Sequence, residues 1–274
     1  MEEAVTIARA RALFGALPRP LGFVPTMGAL HDGHLALIRR ARVRCSAVGA
    51  SIFVNPLQFG ANEDLASYPR DLDRDREKLA AAGVDALLAP DPATMYPPDF
   101  TTLVDVGRLG EVFEGALRPG HFRGVATVLA KLLNVVRPDL LVLGQKDAQQ
   151  SVVVRKMIAD LDFQVELELE QTVRERDGLA MSSRNRYLDA QERAQAPTLH
   201  RALSVMREAL ADGRSKSEAI AAGRAALSSI AKLDYLDLVD AATFTPIERL
   251  RPPAFVIGAA RFGTTRLIDN LWIT

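Results

Sequence analysis

Two histidines three residues apart, His31 and His34, stand in PTMGALHDGH (residues 25–34) and make up half of the chain's four histidines. The segment follows an apolar run, and Gly28 and Gly33 permit tight backbone turns. If a helix starts here, the imidazoles lie one turn apart on one face, at a terminus whose N–H groups and dipole favour anions. Imidazole N–H groups can then donate to phosphate oxygens. A metal pair is the competing chemistry, but no carboxylate or cysteine stands at a matching spacing. The glycine-rich dinucleotide fingerprint and the Walker P-loop are both absent.

Five further segments carry polar chemistry. SIFVNPLQF (residues 51–59) is an apolar run that ends by presenting Asn55 and Gln58, amides able to orient a carboxylate and hydroxyls without charge. LGQKDAQQ (residues 143–150) offers Lys146, a compact cation suited to phosphate, and Asp147, an acceptor for ribose hydroxyls. DGLAMSSRNRYL (residues 177–188) places Ser182, Ser183 and Arg184 in succession, donors that suit a triphosphate. RPGHFRGV (residues 118–125), preceded by Glu114, groups Arg118, His121 and Arg123 ahead of an apolar helix, and a solvated loop is the plainer reading. The charge run YPRDLDRDREKL (residues 68–79) reads first as a solvated helix face.

These segments need a frame. Residues 4–16 read as a helix that Pro18 ends. Strand-like runs at 21–25, 47–54, 84–89, 140–143 and 165–169 alternate with helical patterns at 34–44, 72–82, 125–136 and 148–161. That alternation predicts an α/β fold: a Rossmann-like, doubly wound parallel sheet covered on both faces. The pattern then changes. Two helical stretches, 191–210 and 216–230, precede three short strands at 235–239, 254–259 and 266–273. A second, smaller α+β C-terminal domain is expected, with the boundary at the Arg176-Asp177-Gly178 turn: residues 1–176 and 177–274. In open α/β sheets ligands bind beyond the carboxyl ends of the strands, where residues 26–34, 55–60 and 144–150 should lie.

Composition excludes several classes. The 274 residues are 48% hydrophobic and 25% charged, too apolar for a disordered chain. No apolar run approaches the roughly 18 residues of a membrane span, because Lys131 and Asn134 interrupt the longest, 125–136. Glu2 and Glu3 stand where a signal peptide would carry basic residues. The single cysteine, Cys45, precludes an intrachain disulfide, and a cytoplasmic location is expected. Lys plus Arg equals Asp plus Glu at 34 each, which argues against a nucleic-acid partner, although Arg39, Arg40, Arg42 and Arg44 cluster on one helical stretch.

PTMGALHDGH resembles the HxGH motif of the nucleotidyltransferase superfamily, and with SIFVNPLQF the resemblance narrows to the pantothenate synthetase family, the pantoate–β-alanine ligases. It covers about residues 21–269. It implies ATP-dependent condensation of pantoate with β-alanine to pantothenate, through pantoyl adenylate. It further implies ATP binding by Met27, Gly28, Ala29, Leu30, His31, Asp32, Gly33 and His34, by Gly144, Gln145, Lys146 and Asp147, and by Val173, Met181, Ser182, Ser183 and Arg184. Pantoate binding falls to Gln58 and Gln150, with Asn55 beside them. The catalytic candidates are His34, His31, Lys146 and Arg184, aimed at charge that develops on phosphate. An acidic position near Asp75 is linked to Mg2+. The smaller domain is expected to cover the ATP site, and the chain to form a homodimer. Leu143, Gln145 and Ala148 depart from the family's FGEKDxQQ pattern, in which x is aromatic. A superfamily transferase acting on a phosphorylated substrate is the nearest rival, and a non-catalytic ATP-binding protein the rival of another class.

Overall fold

The computed structural model describes residues 1–61 and 63–274. Two compact units divide them: Met1–Gly144 with Val153–Glu170, and Gln145–Val152 with Gln171–Thr274.

The first unit is built on strands β1 (Glu2–Ala4), β2 (Leu21–Thr26), β3 (Ala47–Ile52), β4 (Ala86–Leu88), β5 (Leu140–Gly144) and β6 (Glu166–Glu170). All pair in parallel, in the order β1-β4-β3-β2-β5-β6. The helices are α1 (Ile7–Gly15), α2 (Asp32–Arg44), α3 (Leu72–Ala81), the single turns α4 (Pro92–Met95) and α5 (Glu114–Leu117), α6 (His121–Val136) and α7 (Ala148–Asp160). The chain winds outward from β2 through β3 to β4, then returns to place β5 on the other side of β2. The order therefore reverses at β2 and β5, the position at which such sheets bind ligands. Alternation along β2 feeds two cores. Leu21 and Phe23 pack with Phe14, Val125 and Leu129, whereas Val24 packs with Leu30, Ile38, Val48 and Leu79. Burial of both faces explains why the strands read as continuous apolar runs.

The second unit contains α8 (Ala190–Gln195), α9 (Thr198–Ala211) and α10 (Lys216–Ala226). They precede an antiparallel sheet of β7 (Ala231–Asp240), β8 (Ala254–Phe262) and β9 (Thr265–Ile273), in the order β7-β8-β9. Leu203, Met206 and Leu210 of α9 pack on Leu236, Leu238, Val256 and Leu271 of the sheet. The expected α/β class with a smaller α+β part is what forms. Among the described residues no helix is long and apolar enough to cross a membrane.

Several boundaries differ from the sequence reading. The helix expected from residue 4 starts only at Ile7, after Thr6 caps it by accepting from the Arg9 amide at 3.3 Å, and Ala4 instead ends the edge strand β1, which the sequence reading did not include. The helix expected from 125 starts at His121, directly after Gly120 turns the chain at φ 82°. The helix expected over 191–210 splits into α8 and α9, which meet at Pro197, a residue with no N–H to donate.

Candidate functional site

The turn after β2 holds the two histidines. Helix α2 begins at Asp32, two residues earlier than periodicity suggested, and His31 is its N-cap rather than a helical residue. The His31 Nδ1 accepts from the Gly33 amide at 3.2 Å, and the His34 Nδ1 accepts from the His31 amide at 3.3 Å. This is a reciprocal capping box made by two imidazoles, whose ring centroids lie 4.1 Å apart. A neutral ring that accepts at Nδ1 carries its proton on Nε2. The cap therefore selects the tautomer, and both Nε2–H groups become donors.

The backbone ahead of the cap is unusual. Gly28 has φ 81° and Ala29 φ 52°, the latter a left-handed conformation disfavoured for a residue with a Cβ. Asp75 of α3 holds it there. Its Oδ2 accepts from the Ala29 amide at 2.7 Å and its Oδ1 from the Leu30 amide at 2.8 Å. The carboxylate is only 2% exposed. The Lys78 ammonium donates to the Leu30 carbonyl, and the Thr26 hydroxyl accepts from the Gly28 amide at 3.2 Å. The amides of Gly28, Ala29, Leu30, His31, Gly33 and His34 thus have partners within the turn or on Asp75. The sequence reading offered both these amides and the imidazoles as anion donors; the amides named here already have partners.

Beyond β3 lies an amide pair. Asn55 caps the turn Pro56–Gln58, with its Oδ1 accepting from the Leu57 amide at 3.2 Å. The same Oδ1 accepts from the Tyr96 hydroxyl at 2.9 Å. Its Nδ2 donates to Gln58 Oε1 at 3.0 Å and to the Gly124 carbonyl at 3.1 Å. The close approach of α6 needs glycine there, since a Cβ on Gly124 would sit 2.3 Å from the Leu57 carbonyl oxygen. Gln58 Nε2 points to the Met27 sulfur at 3.0 Å.

A third group backs this turn. His121 Nδ1 donates to the Gln58 carbonyl at 2.8 Å, and its Nε2 accepts from Arg118 at 3.1 Å. Burial and the adjacent Arg118 charge push His121 down to about 4, so it is neutral at physiological pH. Arg118 also grips Glu63 through two hydrogen bonds, at 2.8 and 2.5 Å. Of the cluster whose plainer sequence reading was a solvated loop, His121 is buried and Arg118 partly buried, and both brace the Gln58 carbonyl, whereas Arg123 is exposed.

In the second unit Lys146 and Asp147 form an ion pair at 3.0 Å. Asn270 of β9 fixes their backbone, with Nδ2 donating to the Gln145 carbonyl at 2.9 Å and the Lys146 carbonyl at 2.8 Å. Its neighbour Asp269 is buried and takes a two-pronged hydrogen bond from Arg174, at 2.7 and 2.9 Å. Burial alone would raise that carboxyl, but contacts from His200 and Arg174 hold it below its ordinary value. Val173 and Met181 flank the Asp177-Gly178 turn and are joined by a backbone bond from the Met181 amide to the Val173 carbonyl at 2.9 Å. Ser182 caps the turn Ser183–Tyr187 and accepts from the Arg184 amide at 3.3 Å. Gln150 lies in the first turn of α7, and Gly144 ends β5 in the first unit.

Tyr96, Asn270 and the bracing roles of Asp75 and His121 carry no motif, because their partners are distant in sequence. Asn270 and Gln145 are 125 residues apart.

The comparisons bear on the whole chain. The pantothenate synthetase of Acidiphilium cryptum is 54% identical over 265 residues, 96% of this chain and 95% of that one. The crystal structure of pantothenate synthetase from Thermus thermophilus superposes with a TM-score of 0.95 at 52% identity, covering 99% of both chains. The structure of pantoate-beta-alanine ligase from Francisella tularensis, complexed with beta-gamma ATP and beta-alanine, gives a TM-score of 0.83 at 32% identity over 99% of this chain and 97% of that one. The model of the family described as pantoate-beta-alanine ligase matches residues 3–272, and to that family the chain belongs.

Proposed function

We propose a division of labour among this ligase's residues. The reaction is ATP-dependent joining of pantoate to β-alanine. A pantoate carboxylate oxygen attacks the α-phosphorus of ATP, forming the acyl–phosphate bond and releasing pyrophosphate. The β-alanine nitrogen then attacks the acyl carbon, losing a proton as the amide forms and AMP departs. The mixed anhydride is already activated, so the chain needs no Ser-His-Asp arrangement, and its contribution is positioning and charge stabilisation.

His31 and His34 donate from Nε2 to the phosphates, and His34 steadies charge at the reacting phosphorus. The observation that supports this most directly is the capping box, which fixes both tautomers. Lys146 and Arg184 add positive charge, with Ser182 and Ser183 as hydroxyl donors. Met27, Gly28, Ala29, Leu30, Asp32 and Gly33 shape the nucleotide turn. Gly144, Gln145, Asp147, Val173 and Met181 complete the nucleotide contacts. Gln58 and Gln150 hold pantoate, and Asn55 serves the same pocket. Residues 1–176 hold the nucleotide and pantoate, with 177–274 as the smaller domain.

Magnesium accompanies the triphosphate, whose oxygens are its preferred ligands. Among the described residues no group of three or more His, Cys, Asp or Glu could hold a metal ion, and both oxygens of Asp75 are engaged by backbone amides. A cytoplasmic location accords with a single cysteine. The homodimer rests on family resemblance, and light scattering tests it. Arg40, Arg42 and Arg44 of α2 are in ion pairs with Glu168, Asp85 and Glu166, which offsets part of the basic cluster on that helix.

One assay tests the whole reading. Protein, ATP, magnesium, pantoate and β-alanine should yield pantothenate and AMP together. A dinucleotide product would support the rival transferase, and ATP binding without product the non-catalytic rival.

A further inference from the structure

We propose that Tyr96 is a positioning residue for pantoate, acting through Asn55 to fix which end of the Gln58 amide faces the substrate. The inference rests on the reading that Gln58 meets pantoate. A glutamine amide has two ends of similar shape and opposite polarity, and only its partners decide which way it points. Asn55 has the same ambiguity; the Leu57 N–H, a donor only, and the Gly124 carbonyl, an acceptor only, set its direction, and Tyr96 reinforces it as a second donor to Oδ1. The phenol hydroxyl lies 2.9 Å from Asn55 Oδ1, and that oxygen also accepts from the Leu57 amide at 3.2 Å. The reversed amide would place N–H against the Leu57 N–H and deprive the Asn55 oxygen of both its donors, the Leu57 amide and the phenol. With Oδ1 fixed, Nδ2 must face Gln58 Oε1 and the Gly124 carbonyl, 3.0 and 3.1 Å away.

Asn55 is then saturated. Both its N–H bonds and both lone pairs of its oxygen are used inside the first unit, and the residue is 1% exposed. It can influence pantoate only through Gln58. Gln58 in turn points Oε1 at Asn55, so the opposite end of its amide, Nε2, is the end left for substrate, and its partner here is the soft Met27 sulfur. A thioether is a weak acceptor that a carboxylate or hydroxyl oxygen of pantoate can replace. The chain Tyr96–Asn55–Gln58 thus commits the pocket to an acceptor atom on the substrate.

Two features fit Tyr96 to this role. Burial pushes its hydroxyl well above the usual phenol range, so it remains a protonated donor. Its ring is held by Phe53 at 5.9 Å and Phe100 at 5.0 Å, with Lys131 4.7 Å from the Phe100 ring. Phenylalanine keeps those ring contacts and removes only the hydroxyl.

The experiment is a double-mutant cycle in the full chain, with Tyr96→Phe, Gln58→Ala and both together, reading KM for pantoate and for ATP separately. Tyr96→Phe should raise the pantoate KM roughly fivefold, about 1 kcal/mol at 1.4 kcal/mol per tenfold, with the ATP KM changed by less than about twofold. In the Gln58→Ala background the same substitution should do nothing more, because the amide it orients is gone. An unchanged pantoate KM for Tyr96→Phe, a parallel rise for ATP, or a fully additive double variant would overturn the proposal while leaving Gln58 at pantoate. An unchanged pantoate KM for Gln58→Ala would instead remove the reading beneath it, and the proposal with it.

Discussion

The turn after β2 and the Lys146 segment do their positioning at different levels of the chain. In the first, hydrogen bonds end on the candidate side chains themselves, Nδ1 of His31 and Nδ1 of His34, as one does at Oε1 of Gln58 beyond β3. In the second, Asn270 holds only the carbonyls of Gln145 and Lys146, and the ammonium of Lys146 makes an ion pair with Asp147. The contrast follows the chemistry. A neutral donor works through a hydrogen bond, which weakens steeply with angle and distance, so its tautomer and orientation must be fixed. A cation works through a field that falls off slowly, so fixing its backbone suffices. Loss of a brace should therefore be severe in the first region and graded in the second.

The largest effect is expected at the cap. His34→Ala removes a proposed donor to developing charge together with the acceptor for the His31 amide. ATP–pyrophosphate exchange in the presence of pantoate should fall at least ~100-fold, on the order of 3 kcal/mol. Near-normal exchange would end the argument for the imidazoles.

Acid should separate the regions next. His121 stays neutral in the folded state down to about pH 4, whereas an unfolded histidine takes up its proton near its ordinary value of 6.5. The unfolded state binds more protons in that interval, so stability falls as pH drops from 6.5 toward 4, by roughly 3 kcal/mol in all. His121→Asn should flatten that slope in urea titrations at pH 7.5 and 4.5. Asp269 in the second unit behaves differently. Its carboxyl lies below the ordinary 3.8, so its contribution is complete above that pH and is lost only as pH falls through the lower, folded-state value.

A smaller loss, about 2 kcal/mol, is expected for Asp75→Asn. An amide has one acceptor end, so one of the Ala29 and Leu30 amides loses its partner and faces an N–H instead. The left-handed Ala29 then relaxes, and thermal unfolding should show the loss alongside weakened ATP binding. A variant with unchanged melting and unchanged ATP affinity would mean that the turn holds itself.

Much of this frame was legible in the sequence, for reasons of periodicity. Strands buried on both faces, such as β2, β3 and β5, read as apolar runs, and α2 and α6 read as helices between them. Strand β1 was not legible, because Glu2 and Glu3 form an edge beside β4 in which Glu3 is tied to Arg76 of α3 by hydrogen bonds of 2.8 and 2.7 Å. The polar segments were legible as motifs, and the motif marks which side chains could act. It does not mark what aims them. Asp75 looked like part of a solvated charged face, yet it is the one carboxylate of that run turned inward under the Ala29 turn. Pairings between distant residues leave no local spacing to read.

The smallest effect should come from the second region, and it tests the contrast most sharply. Asn270→Ala takes the donors from two carbonyls without touching the Lys146 ammonium. The segment loosens, but a cation displaced by about an ångström still attracts phosphate, so the ATP KM should rise only about fivefold and the pantoate KM should hold. Asn270→Asp should be worse than alanine, because its carboxylate would face two carbonyl oxygens and stand beside buried Asp269. If Asn270→Ala instead abolished exchange as deeply as His34→Ala, Lys146 would need the same angular precision as the imidazoles. The two regions would then be positioned by one rule and not two.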